Sequence, residues 1–255
     1  MALTRRDFGI LTGTALASFA LSECTLVGQQ RAGEGLLTAH PKEGVKTTAK
    51  TGTQPLGLDT ARDGFLHVPE KIAAGPLPVM VLLHGAGGTG QRQLGRMIDA
   101  VNTAGVVVLA PDSRGGTWDA IRGDFSEDVA FINKALEKTF ETIAADPARL
   151  TIAGFSDGAT YALSLGLING GLFKRIAAFS PGFIVEGKPG GKPRIFISHG
   201  TSDPILPIDQ CSRAIVARLK ARGYDITFRE FNGGHEIPPA VQTEGLGWVV
   251  ARSQS

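Results

Sequence analysis

Leu150-Thr151-Ile152-Ala153-Gly154-Phe155-Ser156-Asp157-Gly158 is the stretch on which the fold turns. Residues 150–153 are apolar or β-branched and read as the end of a short buried strand. The G-x-S-x-G that follows directly opens a helix-compatible run over about 157–169, so the serine stands at a sharp strand-to-helix turn. Such a turn has room only for small flanking side chains, which accounts for Gly154 and Gly158. It also lifts the hydroxyl toward a helix N-terminus, where the peptide dipole favours negative charge. Ser156 is the candidate nucleophile; an ordinary Gly-Ser turn is the alternative, and the strand ahead of it argues against that.

Working outward, residues 78–83 (PVMVLL), 106–110, 176–179 and 195–197 are short continuous apolar runs, as expected of parallel strands buried on both faces. Residues 226–231 (ITFREF) alternate more strongly, as a strand nearer a sheet edge would. Phe65-Leu66-His67-Val68 reads as an outer strand ending at Pro69. Between these lie amphipathic helices: Asp128, Val129, Phe131, Ile132, Ala135, Leu136 and Phe140 share one face, and residues 208–222 form another. Strands alternating with helices predict an α/β fold, a mostly parallel central sheet with helices on both faces. Only 14 residues, 180–193, separate two strands downstream of the serine, too few for a sizeable lid domain.

A serine hydroxyl needs a base to take its proton. Of His40, His67, His84, His199 and His235, the last lies in Asn232-Gly233-Gly234-His235-Glu236, a Gly-rich loop after the last strand, where a base could reach across a site. His84 and His199 each end a buried strand before a glycine and read as structural. The orienting carboxylate should fall between serine and base; Asp203, just past the strand at 194–198, fits. Asp209 is the rival and reads better as the cap of the helix after 208. Two backbone donors should hold the oxyanion of a tetrahedral intermediate. Asp157, the residue after the serine, is one, and Ala86 in His84-Gly85-Ala86-Gly87-Gly88 is the other, with Gly87 as fallback. That loop could instead cradle phosphate, but no G-x-x-x-x-G-K-[ST] is present. No His/Cys cluster has ligand spacing, so neither a metal nor another cofactor is expected.

The 255 residues are 42% apolar and 20% charged with a net charge of +2. No dense Lys/Arg face exists for a phosphate backbone, so nucleic acid is not an expected partner. Residues 1–24 read as an export signal: Arg5-Arg6-Asp7-Phe8 precedes the nearly uncharged run 9–22, a twin-arginine pattern. The reading places the protein in the periplasm or outside the cell. Leu21-Ser22-Glu23-Cys24 resembles the box before a lipidated cysteine, so the one route to a membrane would be a lipid anchor at Cys24. Cys24 and Cys211 are the two cysteines, which leaves no disulfide framework. Residues 25–60 read as a tether with a first weak strand, and 61–255 as the catalytic domain.

From about residue 63 onward the chain resembles the α/β-hydrolase superfamily, and within it the small carboxylesterase, phospholipase and dienelactone-hydrolase-like esterases. The resemblance is carried by residues 84–88, Ser113-Arg114-Gly115-Gly116-Thr117-Trp118-Asp119, the turn around Ser156, Gly200-Thr201-Ser202-Asp203 and Gly234-His235; the export signal also resembles that of feruloyl-esterase and polyester-depolymerase relatives. It implies an exported Ser-His-Asp hydrolase of small-molecule or polymeric carboxylic esters working through an acyl-enzyme. The alternatives are a peptidase or thioesterase of the same fold and a binding protein without turnover. Asp157 departs from the uncharged or amide side chain expected beside the nucleophile. Gly87, Trp118, Phe183, Ile205 and Ile237 are the candidates for contact with substrate.

Overall fold

The computed structural model describes residues 35–252; the export signal, the arginine pair and Cys24 lie outside them. In chain order the strands are β1 (Gly52–Pro55), β2 (Gly64–Val68), β3 (Leu77–Leu83), β4 (Val107–Pro111), β5 (Ala145–Phe155), β6 (Arg175–Phe179), β7 (Arg194–Gly200) and β8 (Ile226–Phe231). The helices are α1 (Gly90–Gly95), α2 (Ile98–Ala104), α3 (Asp119–Arg122), α4 (Glu127–Thr142), α5 (Asp157–Ile168), α6 (Ala214–Ala221) and α7 (Pro239–Val250). They build one eight-stranded sheet in the order β1-β2-β4-β3-β5-β6-β7-β8. The first two strands pair antiparallel, and every pairing from β4 to β8 is parallel.

The continuous apolar runs have a two-faced explanation. In β3, Val79, Val81 and Leu83 pack on one side against Ile132 and Phe140 of α4 and Leu163 and Leu165 of α5. Met80 and Leu82 point to the other side, against Leu94, Met97, Val101, Leu246 and Val249 from the region of α1, α2 and α7. β4, β6 and β7 divide in the same way. A strand covered on both faces has no polar side to alternate with. β8 lies at the edge, with no fully buried position and with Arg229 exposed, as expected of an edge strand.

Two expectations need correction. The stretch read as a tether is pinned to the domain from residue 35 onward: Leu37 and Ala39 are buried in the core. Leu37 N–H donates to Asn169 Oδ1, and Thr38 and Ala39 N–H both donate to Asn133 Oδ1. These side-chain acceptors replace a strand ladder, which is why no periodicity marks the segment. Asp209 forms no side-chain cap; a π-helical turn, Asp209–Arg213, precedes α6, and Asp209 pairs with Arg213 at 2.7 Å. The connection from Phe179 to Arg194 holds no helix, so no helical lid is inserted between β6 and β7.

Candidate active site

Ser156 sits where β5 meets α5, with φ 57° and ψ −122°. This is a costly conformation for a residue with a side chain. The neighbours force it: a Cβ on Gly154 would lie 2.2 Å from Gly158 O, and one on Gly158 2.3 Å from Leu83 O. The turn thus presses against β3 with nothing larger than hydrogen between them, and Ser156 N–H is fixed on Phe179 O at 3.0 Å.

His235 Nε2 lies 2.9 Å from Ser156 Oγ, and His235 Nδ1 lies 2.6 Å from Asp203 Oδ2. The loop that holds His235 is pinned to the loop that holds Asp203, since Thr201 N–H donates to Phe231 O and Ser202 N–H to Gly233 O. Phe155 packs its ring on the imidazole at 4.8 Å. Asp203 is buried, and its other oxygen accepts from Ile205 and Leu206 N–H at 2.9 Å each. Burial pushes this carboxyl upward, but the Leu206 amide, the His235 ring and the Ile205 amide outweigh it and hold Asp203 below the usual carboxylate value. It is therefore an anion at neutral pH. His199 Nε2 lies 3.2 Å from Asp203 Oδ2, the oxygen that faces His235, and 2.8 Å from Leu206 O. Burial lowers the His199 pKa, so the ring is neutral there and the contact is not an ion pair.

The Gly-rich loop follows β3 and leads straight into α1. His84 is buried behind it and accepts from Ser113 N–H through Nε2. Gly87 N–H is spent on Gly116 O at 2.6 Å, so the fallback donor is already engaged, and Gly87 is not among the residues around the cavity at Ser156. Ala86 does line that cavity, which measures about 220 Å³ and also borders Gly85, Phe155, Ile205 and His235. Asp157 opens α5, where a first-turn N–H has no carbonyl one turn before it. Its side chain accepts from Thr117 Oγ1 at 2.5 Å. An Arg62 guanidinium, not legible as a site element from its sequence neighbours, braces the loop from outside by donating to Gly88 O and Ser113 O.

Trp118 is not a pocket wall. It is fully buried, its Nε1–H donates to His84 O, and its ring stacks with Tyr161 at 5.2 Å. Burying so large a ring, with its one donor satisfied, is worth more than leaving it on a loop surface. Phe183 is 42% exposed and does not border the Ser156 cavity. Ile205 does border it, and Ile237 lines an adjoining cavity of about 360 Å³ that shares Phe155 and His235 with the first. Two charged residues that the sequence alone did not mark, Arg92 and Arg96, also line the first cavity. Their signal was the four-residue spacing on a short helix after the Gly-rich loop. Among the described residues no group of three or more His, Cys, Asp or Glu could hold a metal ion.

Solved structures share the fold over about four fifths of the chain. An S-formylglutathione hydrolase from Staphylococcus aureus superposes with a TM-score of 0.62 at 15% identity, covering 80% of this chain and all of that one. This is an α/β-hydrolase fold. A carboxylesterase from Mesorhizobium loti with the same α/β-hydrolase architecture gives a TM-score of 0.60 at 20% identity, over 79% of this chain and 100% of its own. Residues 118–242 match the model of the phospholipase/carboxylesterase family. Among sequence relatives, a probable feruloyl esterase C of Aspergillus oryzae is 24% identical over 159 residues, 52% of this chain and 58% of that protein. Feruloyl esterase C of Emericella nidulans is 28% identical over 113 residues, 44% of this chain and 41% of the relative. The chain thus spans about half the length of the relatives it matches.

Proposed function

We propose that this α/β-hydrolase is an exported serine carboxylic-ester hydrolase. The observation that carries the reading is the unbroken line from Ser156 Oγ through the His235 ring to Asp203 Oδ2, at 2.9 and 2.6 Å. The likeness to feruloyl esterases and to the phospholipase/carboxylesterase family supports it from outside. Ser156 Oγ attacks the ester carbonyl carbon as its proton passes to His235 Nε2, and the carbonyl electrons move onto oxygen. Asp203 keeps the second imidazole proton on Nδ1 and stabilises the imidazolium. Ala86 and Asp157 N–H receive the oxyanion, a term of roughly 3 kcal/mol per donor in the transition state. When the intermediate collapses, the C–O bond to the alcohol breaks and His235 returns its proton to the leaving oxygen. The acyl group stays on Ser156. Water, deprotonated by the same ring, then attacks the acyl carbon; the bond to Ser156 Oγ breaks, His235 returns the proton to that oxygen, and the carboxylic acid leaves.

The substrate in this reading is a small-molecule or polymeric ester, admitted by a site over which no helix is inserted between β6 and β7. Export rests on Arg5-Arg6 and residues 9–22, and the domain division on the same sequence pattern. Exposure to a fluorophosphonate should label the protein once, and Ser156→Ala should abolish both the label and hydrolysis of p-nitrophenyl acetate, with kcat down by roughly 10⁴ or more. Labelling that persists in Ser156→Ala would overturn the assignment. Replacing Arg5 and Arg6 with lysine should leave precursor in the cytoplasm; unchanged export would remove that part of the reading.

A further inference from the structure

Helix α1 carries Arg92, and Arg96 caps its C-terminus one turn later. At this spacing the two side chains leave the same face, with Cβ atoms about 6 Å from one another. Both line the cavity that contains Ser156 and His235, and none of that cavity's lining residues is an aspartate or glutamate. Arg96 also borders the adjoining cavity together with Gln93, Phe155 and His235, so one guanidinium serves both halves of the cleft. Glu236 is the one carboxylate lining that second half.

Elsewhere on the described surface Arg213, Arg218 and Arg229 each reach a glutamate at 2.6–3.0 Å. Among the described residues neither Arg92 nor Arg96 forms an ion pair. Two like charges one turn apart repel each other and weaken the helix. Their place at the C-terminal end of α1, where cations are favoured, offsets part of that repulsion, and an anion bound between them would relieve the rest. Gln93, between them in sequence, is 2% exposed, and among the described residues its amide nitrogen has only Met97 Sδ at 3.7 Å. It adds a neutral donor to the same wall.

We infer that the cleft selects esters that carry a carboxylate, which Arg92 and Arg96 hold while the scissile carbonyl lies at Ser156. The inference rests on the ester-hydrolase reading for the rest of the substrate. A planar guanidinium offers two parallel donors to a carboxylate, and a charge-assisted bond of this kind is about twice as strong as a neutral one. A neutral ester of the same shape would fill the apolar part of the cleft, Phe155 and Ile205, and leave both cations unpaired.

The test compares kcat/KM, followed by proton release, for two matched ester pairs. Ethyl hydrogen succinate against ethyl butyrate places the charge on the acyl side, and 4-acetoxybenzoate against phenyl acetate places it on the alcohol side. In at least one pair the anionic-to-neutral ratio should fall about tenfold or more from wild type to the Arg92→Gln/Arg96→Gln double variant. Comparing the ratio between proteins cancels the intrinsic reactivity of each ester. Arg229→Gln, which removes one positive charge elsewhere, should keep the wild-type ratio. A ratio that is the same in the wild type and the double variant for both pairs would overturn the inference, as would an equal fall in Arg229→Gln. Calorimetric binding of ethyl hydrogen succinate to Ser156→Ala, with and without the two glutamines, reads the anion site without turnover: weaker binding with the glutamines supports it, and equal binding sinks it. Failure to hydrolyse any of the four esters would count against the hydrolase reading and leave the calorimetric result to decide the anion site.

Discussion

Thr117 Oγ1 donates to Asp157 Oδ2 at 2.5 Å, tying the carboxylate next to Ser156 to the loop before α3. The carboxylate therefore has a fixed partner, and Thr117 itself is buried. Asp157→Asn keeps an acceptor for that hydroxyl and removes the negative charge near the oxyanion, so kcat should be equal to or above wild type. Thr117→Val strips the partner from the charge, and kcat should fall by about tenfold, close to the worth of one hydrogen bond to a charged group. Steady-state rates with p-nitrophenyl acetate decide it. A collapse in Asp157→Asn would give its charge a positive role.

Asp203→Asn should leave the melting temperature close to wild type and lower kcat by about 10⁴, because an amide supports the wrong imidazole tautomer and cannot stabilise the imidazolium. Asp209→Asn should change kcat little, since its carboxylate engages Arg213 on the surface. Activity lost at Asp209 and kept at Asp203 would move the acid.

Asp128 is buried at the start of α4 and accepts from Arg114 and Asp119 N–H at 2.6 Å each. Burial nevertheless pushes its carboxyl up to about 6 from 3.8. Between those two values the folded state binds more protons than the unfolded chain, so this group's contribution to stability is full below about pH 4 and is lost as pH rises toward about 6. Asp128→Asn cannot titrate and should flatten that part of the melting-temperature profile. An unchanged slope would place the titration elsewhere.

Arg175 is buried at the start of β6 and donates to Trp248, Val249 and Ala251 carbonyls at the end of α7. Helix C-termini leave such carbonyls without partners. Arg175→Met keeps the aliphatic stem and removes all the donors, so it should cost about 2–4 kcal/mol in denaturant unfolding with kcat of the remaining folded protein retained. A cost under about 0.5 kcal/mol would mean that water replaces the guanidinium freely.

Much of the site was open to local reading because its signals are local. Gly154 is demanded by Gly158 O at 2.2 Å across one turn, although Gly158 is demanded by Leu83 O of β3 at 2.3 Å, and continuous apolar runs mark strands covered on both faces. Alternation with helices and the order Ser156, Asp203, His235 then placed the three side chains at the same end of a parallel sheet. Other assignments depended on which distant segment arrives where. Trp118 and Phe183 look equivalent as aromatic loop residues, but Tyr161 and His84 O meet the first and bury it, while the second stays outside. Residues 35–39 carry no period because their partners are side chains about 95 to 134 positions away. The sequence alone does not mark Arg92 and Arg96 as site residues, and only the cavity beside Ser156 gives their face a direction. Chemistry in sharp turns is written in neighbouring residues, whereas burial, pairing and the facing of a charge are set by contacts across the chain, which only the tertiary structure decides.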